Sequence, residues 1–424
     1  MKMDEQQQFE CVGSDTDPLR TRVCRRMLVG PWCNQPQEYE GYNGFVGWPA
    51  VTQLRSGRWY MTFTSGYWHA SVPRTEEISR DEPSRKRFEE FRAIGCPDIR
   101  SPRGGRGHIM HSDDEGLTWS KPSTLIDTEL YDCHQTILEL DDGTLFCTSF
   151  GCQLAHPRTI SVYMRSHDGG ATWTEPRELP NFTSGSNGSA IQLSDGNILW
   201  AAYHKADEKD PFYGLGIWRS SDRGESFELA SLVNTDHDID ETSIAELPDG
   251  RLVTISRREG DICWSDDGGS TWTDPVSTGV EVFDPHLVVM PSGVLACFHG
   301  PYAFDSQGLS GVRVMLSKDQ GRTWRGPRDG AGYAVDRNVY GYCHPTLLAD
   351  GTVYVVYLHS GGHTPHDART EALWSLRVGI HENADGIDIL PAPGSPEDKG
   401  LGEAYLALTS LTPDGGDPEL GDLL

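Results

Sequence analysis

The sequence has 424 residues, with 36 Lys and Arg against 63 Asp and Glu, so the formal net charge is −27 at pH 7. Such a charge repels phosphate backbones and anionic lipid, which excludes nucleic acid and the membrane surface as expected partners. The 12 Trp, 15 Tyr and 13 Phe supply a packed core, while 47 Gly and 26 Pro indicate many turns and short strands. We therefore expect a folded, turn-rich, acidic protein.

The N-terminal segment MKMDEQQQFE lacks the apolar core of a signal peptide. No run approaches the roughly 20 apolar residues of a membrane-spanning helix. The chain as it stands is expected in the cytoplasm, or outside the cell if a leader has been removed. The cysteines form no CxxC pair and no metal-ligand spacing, so we predict reduced, structural thiols and no cofactor.

Pairs of apolar strands joined by a glycine-centred turn recur along the chain. In chain order the six copies are TQLRSGRWYMTF, LELDDGTLFCTSF, IQLSDGNILWAAY, AELPDGRLVTIS, VVMPSGVLACF and LLADGTVYVVY. Apolar runs of this length on both sides of a turn glycine are typical of β-hairpins. The sequence therefore predicts six repeated hairpins.

A second repeat, Ser-x-Asp-x-Gly-x-Thr/Ser-Trp/Phe, alternates with the hairpins. Its five copies begin at Ser112, Ser166, Ser220, Ser265 and Ser317. Asp and Gly favour a tight turn, a hydroxyl can bond the local backbone, and the aromatic ring can pack beneath a hairpin, so we interpret the repeat as a structural staple. Six units of four short strands predict an all-β fold, a six-bladed β-propeller, because radial repetition leaves only short sheet edges.

Three segments lie outside the repeats. Residues 69–104 are rich in Arg, Glu and Pro and read as an insert or lid in blade one. The last blade lacks sequence for a fourth strand, and the early segment RTRVCRRMLV is expected to supply it and close the ring. We therefore predict a single propeller over 20–390 and a C-terminal tail over 391–424.

The five copies of the Ser-x-Asp-x-Gly-x-Thr/Ser-Trp/Phe repeat, at a spacing of about one blade, resemble the Asp boxes of the sialidase (neuraminidase) superfamily. The resemblance covers most of residues 20–385. The segment DETSIAELPDGRLVTISR resembles the one that carries a catalytic Glu and, 16 residues later, an Arg for the substrate carboxylate. The resemblance implies these roles for Glu241 and Arg257. The segment YCHPTLLADGTVYVVY resembles the one with the Tyr nucleophile, which implies that Tyr342 is the nucleophile and Glu241 its base.

The resemblance extends to other residues that reach the mouth of the central channel. Sialidases carry an acid in the blade-one insert, for which Asp98 in CPDIRSP is the candidate. Nine residues before the turn glycine of each hairpin lies a position that faces the channel, occupied by Trp48, His134, Asn187, Glu241, Asp284 and Tyr342. We expect the members of this group other than Glu241 and Tyr342 to bind substrate, together with Arg257 and with His286 and His344 two residues further along their strands.

Two of the three arginines that clamp the carboxylate in sialidases have no counterpart. Gly47 stands at the first position, and Leu309 stands near the third. A bidentate arginine clamp is a strong carboxylate binder, so specificity for sialic acid does not follow from the resemblance. Nearby arginines that could substitute are Arg103, Arg106 and Arg258, whereas Arg313 lies within a strand.

Histidines are concentrated where the arginines are missing. Besides those already named, His204, His299 and His359 end the second strands of blades three, five and six. Three interpretations stay open: sugar recognition or proton transfer beside the aromatic residues Trp48, Trp68 and Tyr67, a metal site built from His134, His286, His344 and Asp284, or structural packing. Because no local metal motif is present, no metal is predicted.

The leading hypothesis is an exo-sialidase-like glycoside hydrolase that acts on a terminal sugar, whose acidic or neutral character stays open. A second hypothesis is a propeller polysaccharide lyase that eliminates across a uronic acid with a His or Tyr base. A third is a carbohydrate-binding propeller without catalysis. All three predict a glycan partner, and none predicts an oligomeric state.

Overall fold

The computed structural model describes the chain in separate segments. The described residues are 9–30, 33–39, 42, 44–66, 105–128, 131–153, 158–180, 190–207, 209–303, 310–327, 331–359 and 371–409. The predicted insert at 69–104 lies outside the described residues. Among those described, no helix is long and apolar enough to cross a membrane.

The strands form six antiparallel blades, each with four strands from the inside to the outside, which confirms the predicted all-β six-bladed propeller. Blade one contains β3 (Phe45–Gln53), β4 (Trp59–Gly66), β5 (Arg106–Ser112) and β6 (Ser123–Ile126). Blade two contains β7 (Tyr131–Glu139), β8 (Leu145–Gln153), β9 (Arg158–Ser166) and β10 (Arg177–Glu178). Blade three contains β11 (Ala190–Gln192), β12 (Ile198–His204), β13 (Gly214–Ser220) and β14 (Glu228–Val233).

Blades four to six complete the ring. Blade four contains β15 (Asp240–Glu246), β16 (Leu252–Arg257), β17 (Asp261–Ser265) and β18 (Val276–Ser277). Blade five contains β19 (Val282–Val289), β20 (Leu295–Pro301), β21 (Val312–Ser317) and β22 (Trp324–Gly326), extended by β1 (Phe9–Cys11), which pairs in parallel with β22, and by β23 (Tyr333–Asp336). Blade six contains β24 (Cys343–Leu347), β25 (Val353–Leu358) and β26 (Leu373–Ile380), with its outer position shared by β2 (Arg26–Val29) and β27 (Ile387–Leu390).

Strand β2 closes the ring by pairing with the last blade, as expected from the early segment RTRVCRRMLV. Its residues pair antiparallel with the first residues of β26. The preceding part of that segment is not a strand but lies in helix α1 (Pro18–Cys24), which begins after Asp17, whose side chain accepts a hydrogen bond from the backbone N–H of Leu19. The inner strands of neighbouring blades then contact one another around the whole ring, blade six against blade one included.

All six predicted hairpins have the same turn. In blade four, the N–H of Leu247 donates to the carbonyl of Arg251 at 2.8 Å, and the N–H of Gly250 donates back to the carbonyl of Leu247 at 2.9 Å. The same pair of bonds is formed in the other five hairpins around Leu54, Leu140, Leu193, Met290 and Leu348. Gly250 has φ of +84°, a conformation that a Cβ disfavours, which explains the glycine at this turn.

The five Asp boxes are staples, as predicted. In the blade-four box, Oγ of Ser265 accepts the N–H of Gly269 at 2.9 Å, while Oδ1 of Asp267 accepts the N–H of Thr271 at 2.8 Å. Equivalent serine-to-glycine bonds are present in the other four boxes. Each box follows the third strand of its blade and therefore lies at the same end as the hairpin turns. The first strands begin at the opposite end, so the boxes lie far from the channel mouth.

The core lies between blades. Leu54 and Tyr60 of blade one, for example, share a buried apolar cluster with Ile137 and Cys147 of blade two. Helix α2 (Gly402–Thr409), in the segment predicted as a tail, contacts α1 and buries Tyr405. The eight cysteines whose side chains are described are free thiols.

Candidate active site

Four of the six channel-facing residues share an unusual backbone conformation. Trp48, His134, Glu241 and Asp284 have φ of +47°, +53°, +34° and +48°. At each of these residues the pairing register of the first strand shifts against the second strand. A β-bulge with a left-handed residue re-aims the side chain, and such residues concentrate at functional sites. The position nine residues before the turn glycine, predicted from the sequence, therefore corresponds in these four blades to a β-bulge at the channel mouth.

Three residues predicted from the resemblance form one hydrogen-bonded group. The hydroxyl of Tyr342 donates to Oε1 of Glu241 at 2.8 Å. Nη1 of Arg257 forms an ion pair with the same carboxylate oxygen and lies 3.2 Å from the hydroxyl of Tyr342. The group joins blades four and six across the channel. A phenol held between a carboxylate and a guanidinium can lose its proton to the first while the second stabilises the oxygen.

Neighbouring blade-five groups hold Glu241 and Arg257 in place. The backbone N–H of Asp284 donates to Oε2 of Glu241 at 2.7 Å. Nε of Arg257 donates to the hydroxyl of Tyr302 at 2.5 Å. Both carboxylate oxygens of Glu241 and two donor nitrogens of Arg257 are therefore engaged before any ligand binds.

Burial changes the acid–base properties of this group. It raises the pKa of Glu241 to about 7, against the opposing charge of Arg257. Burial and the negative charge of Glu241 raise the pKa of Tyr342 well above its usual value. The adjacent Asp240, whose side chain accepts the N–H of Glu241 at 2.8 Å, also has a raised pKa because of burial. Near neutral pH, Glu241 is thus poised to accept a proton from a tyrosine that holds its own tightly.

An open cavity lies beside Tyr342. Its lining consists of Trp48, Pro49, Ala50, His134, Gln135, Thr136, Asp284, His286, Tyr342, Cys343 and His344. Here the structure brings together all the predicted contact residues that it describes, except Arg257, which adjoins the cavity through Tyr342. The ring of His134 lies 5.1 Å from that of Trp48 and 5.8 Å from that of Tyr342, between centroids.

Asp284 is the carboxylate of this cavity. Its Oδ2 accepts the N–H of Cys343 at 2.9 Å, and its Oδ1 lies 3.3 Å from Nε2 of His286. Burial alone would raise the pKa of Asp284, but His286, His134 and the Cys343 N–H outweigh burial and lower that pKa. Burial lowers the pKa of His134 to about 4 and that of His344 to about 3. At neutral pH the cavity therefore contains an ionised carboxylate and at least two uncharged imidazoles.

Other candidates fall outside the site or outside the described residues. Asp98, Asn187, Leu309, Arg103, Tyr67 and Trp68 all lie outside the described residues. Arg106 pairs with Asp127 at 2.9 Å, Arg258 is exposed and faces Glu281 at 3.7 Å, and Arg313 bonds the carbonyl of Gly332 at 2.8 Å. In the described part of the chain, Arg257 is thus the one arginine that contacts the Tyr342–Glu241 pair.

The three histidines of the second strands do not line the cavity that contains His134, His286 and His344. His204, His299 and His359 are absent from the cavity lining, as far as the described residues show it. His299 is fully buried, and its Nε2 lies 2.9 Å from the carbonyl oxygen of Ala331, so its role is structural. These second-strand histidines therefore do not contribute to the described cavity. Within the described ranges, no group of His, Cys, Asp and Glu is arranged to hold a metal ion.

The sequence did not predict three aromatic residues that surround the Tyr342–Glu241–Arg257 group. Tyr340 stacks on Tyr342 with centroids 5.7 Å apart, Phe283 lies 5.2 Å from it, and Tyr302 bonds Arg257. Phe283 lies one residue before the channel-facing Asp284, and Tyr340 lies two residues before Tyr342. Their closeness in sequence to channel-facing positions could have identified them as site residues. Tyr302 follows β20 and is not close in sequence to any channel-facing position, so no sequence pattern identifies it.

Comparison with known proteins supports the same architecture. Residues 108–301 match the family model described as the BNR repeat-like domain. None of the curated protein sequences matches the chain. Among solved structures, a protein of unknown function from Dyadobacter fermentans is similar with a TM-score of 0.62 and 17% identity, over 84% of this chain and 97% of that chain.

Two sialidase-type structures are also similar. A variant of the NanB sialidase from Streptococcus pneumoniae has a TM-score of 0.55 and 14% identity, over 80% of this chain and 70% of that chain. A leech intramolecular trans-sialidase has a TM-score of 0.54 and 14% identity, over 82% and 71%. At these identities the likeness shows the fold alone. The chain is a six-bladed β-propeller that contains a BNR repeat-like domain, and the sialidase-type structures share its fold, as the resemblance of its Asp boxes predicts.

Proposed function

We propose that the protein is a glycoside hydrolase that uses Tyr342 as nucleophile and Glu241 as its base. The observation that carries the proposal is the hydrogen-bonded group of Tyr342, Glu241 and Arg257 at the channel mouth. A nucleophile within hydrogen-bond reach of a base, itself held by a third group, is the general arrangement for covalent catalysis. The sugar binds in the adjoining cavity beside Trp48 and His134.

In the first step, the phenol oxygen of Tyr342 attacks the anomeric carbon while its proton passes to Glu241. The glycosidic bond breaks, and the leaving oxygen takes a proton from an acid, for which Asp98 remains the candidate. Arg257 supports the step because its Nη1 lies 3.2 Å from the phenol oxygen, where negative charge develops. The product of this step is a sugar covalently bound to Tyr342.

In the second step, water attacks the anomeric carbon and the phenol oxygen leaves, recovering its proton from Glu241. Two successive displacements at one carbon restore its configuration, so we expect a retaining hydrolase. The base for the water is the group that protonated the leaving oxygen, by microscopic reversibility.

A phenol suits this position because the surroundings are already anionic. Asp240, Glu241 and Asp284 lie next to one another along the channel mouth, and Glu241 and Asp240 share the positive charge of Arg257. A carboxylate nucleophile would add a further negative charge, and the negative charges of its neighbours would raise its pKa and favour its protonated, less nucleophilic form. An uncharged tyrosine avoids this repulsion and becomes anionic only during the reaction.

The test compares the wild-type protein, Tyr342→Phe and Tyr354→Phe on a panel of fluorogenic aryl glycosides. Tyr354 is a fully buried tyrosine of the same blade and serves as the matched control. We expect turnover in wild type and control and none in Tyr342→Phe. Equal turnover in Tyr342→Phe would contradict the proposal. Product absorbing in the ultraviolet would instead indicate a lyase, and heat of sugar binding without turnover would indicate a binding propeller.

A further inference from the structure

Arg257, the positive charge at the channel mouth, is already engaged by other side chains of the protein. Arg257 is in contact with Glu241, Tyr342 and Tyr302 through Nη1 and Nε. Its charge is also balanced by Asp240. Counting Asp284 as well, described carboxylates outnumber this arginine three to one. A sugar carboxylate would have to compete with Glu241 and Asp240 for the same guanidinium.

The cavity that adjoins Tyr342 has the opposite polarity to a carboxylate clamp. Its described lining includes one carboxylate, Asp284, and no Lys or Arg. The positions where the sialidase resemblance calls for two of its arginines hold Gly47 and Leu309, of which the first is described. The whole chain adds to the effect, since its net charge is −27. An anionic group in this cavity would meet Asp284 without a compensating cation.

The same side chains suit a different ligand group. A carboxylate accepts hydrogen bonds from hydroxyls, and an uncharged imidazole offers one donor and one acceptor. Asp284, His286 and His344 lie together, with the two imidazole centroids 5.1 Å apart. Trp48 and His134 add flat faces on which the C–H surface of a sugar ring can pack. Together these side chains offer hydrogen-bond donors and acceptors that can bind two adjacent hydroxyls of a sugar.

We propose that the sugar bound in this cavity is a hydroxyl-rich sugar without a carboxylate, and that Asp284 and His286 determine this specificity by bonding its hydroxyls. The proposal rests on the function proposed above, which it narrows to uncharged glycosides. It separates this protein from enzymes that anchor a sialic or uronic acid. Asp284 acts here as a hydroxyl acceptor and also repels anionic sugars.

The experiment uses two sets of methylumbelliferyl glycosides with the full-length protein. One set is uncharged and contains hexosides, 6-deoxyhexosides, pentosides and N-acetylhexosaminides of both anomers. The other carries a carboxylate and contains an α-sialoside and a β-glucuronoside. Wild type, Tyr342→Phe, Asp284→Asn and His286→Gln are measured, and calorimetry with the free monosaccharides records binding independently of turnover.

We expect turnover of at least one uncharged glycoside, abolished in Tyr342→Phe. Asp284→Asn and His286→Gln should each raise KM for that substrate at least tenfold while the circular dichroism spectrum is retained. KM should stay constant as salt rises from about 20 to about 200 mM, because screening acts on charged ligands. The second variant keeps the test valid if Asp284→Asn fails to fold.

Other outcomes separate the two proposals. Preferential turnover of the sialoside or glucuronoside by the wild-type protein would overturn the uncharged specificity and leave the proposed hydrolase activity intact. Binding of an uncharged sugar without turnover, weakened in Asp284→Asn, would support the specificity and overturn the hydrolase. No turnover and no binding of any sugar would overturn both.

Discussion

Tyr342 and Glu241 lie 101 positions apart in the chain, yet the tyrosine hydroxyl donates a 2.8 Å hydrogen bond to the glutamate carboxylate. Tyr342 directly precedes the first strand of blade six, and Glu241 occupies the bulge in the first strand of blade four. Both therefore reach the channel from the same end of the propeller. Arg257, at the end of the second strand of blade four, lies against both residues.

Replacing Arg257 with Lys tests whether its geometry matters beyond its charge. An ammonium cannot bond Tyr302, Glu241 and Tyr342 in the same fork geometry, so we expect kcat/KM to fall by about 100-fold or more. The matched control is Arg258→Lys at the next residue, which is exposed and should retain wild-type kinetics. Near-normal kinetics in Arg257→Lys would show that a point charge is sufficient. Melting temperatures of both variants report on folding.

The pH dependence of turnover should report Glu241. As the base, Glu241 must be unprotonated in the free enzyme, and its pKa is about 7 because it is buried. We expect kcat/KM to fall as pH decreases through about 7, and Glu241→Gln to lose most activity at every pH. An acid limb centred near 4.5, the ordinary value for Glu, would contradict this assignment.

The same shift predicts the sign of a stability change. Since the folded-state pKa of Glu241 lies above its ordinary value of 4.5, the folded chain holds a proton that the unfolded chain releases between about pH 4.5 and 7. The contribution of Glu241 to the free energy of unfolding therefore decreases as pH rises through this window. Urea denaturation of wild type and Glu241→Gln at several pH values should show a flatter profile in the variant.

Two adjacent aspartates in the blade-four Asp box offer an internal comparison. Asp267 accepts the N–H and hydroxyl of Thr271, whereas Asp266 forms an ion pair with Arg251 and is mostly exposed. We expect Asp267→Ala to lower the melting temperature by a few degrees, because the turn loses its internal acceptor. Asp266→Ala should change it little, since an exposed ion pair contributes little. Equal effects would argue against the staple, and neither variant should alter kcat.

A buried ion pair lies next to the strand that closes the ring. Arg25, which caps α1, bonds Asp336 at 2.9 Å and lies over the ring of Trp374, and Asp336 also accepts the hydroxyl of Tyr357 at 3.0 Å. We expect Arg25→Ala to reduce the free energy of unfolding by about 3 to 5 kcal/mol, because Asp336 is left buried without its cation. The exposed Arg20–Glu397 pair is the control, and Arg20→Ala should cost less than about 1 kcal/mol. A loss below 1 kcal/mol in Arg25→Ala would show that closure does not depend on this pair.

The sequence by itself determined the architecture, since hairpin and Asp-box motifs are local. A glycine such as Gly250 is required by the φ of its own turn, and Asp267 bonds residues four positions away, so both leave a readable pattern. Repetition of these local patterns then sets the number of blades and the position of each channel-facing residue. The pairing of Glu241, Arg257 and Tyr342 could be predicted through the resemblance.

Only the tertiary structure decided how those positions combine. Ring closure brings Tyr340, Phe283 and Tyr302 around the site from different blades, and no local pattern encodes a contact between blades. Burial, which raises the pKa of Glu241 and lowers that of His344, likewise depends on what every neighbour packs against. His299 is a further example of a residue whose contacts depend on the tertiary structure. The sequence left its role open, and packing within the blade placed its ring against the carbonyl of Ala331.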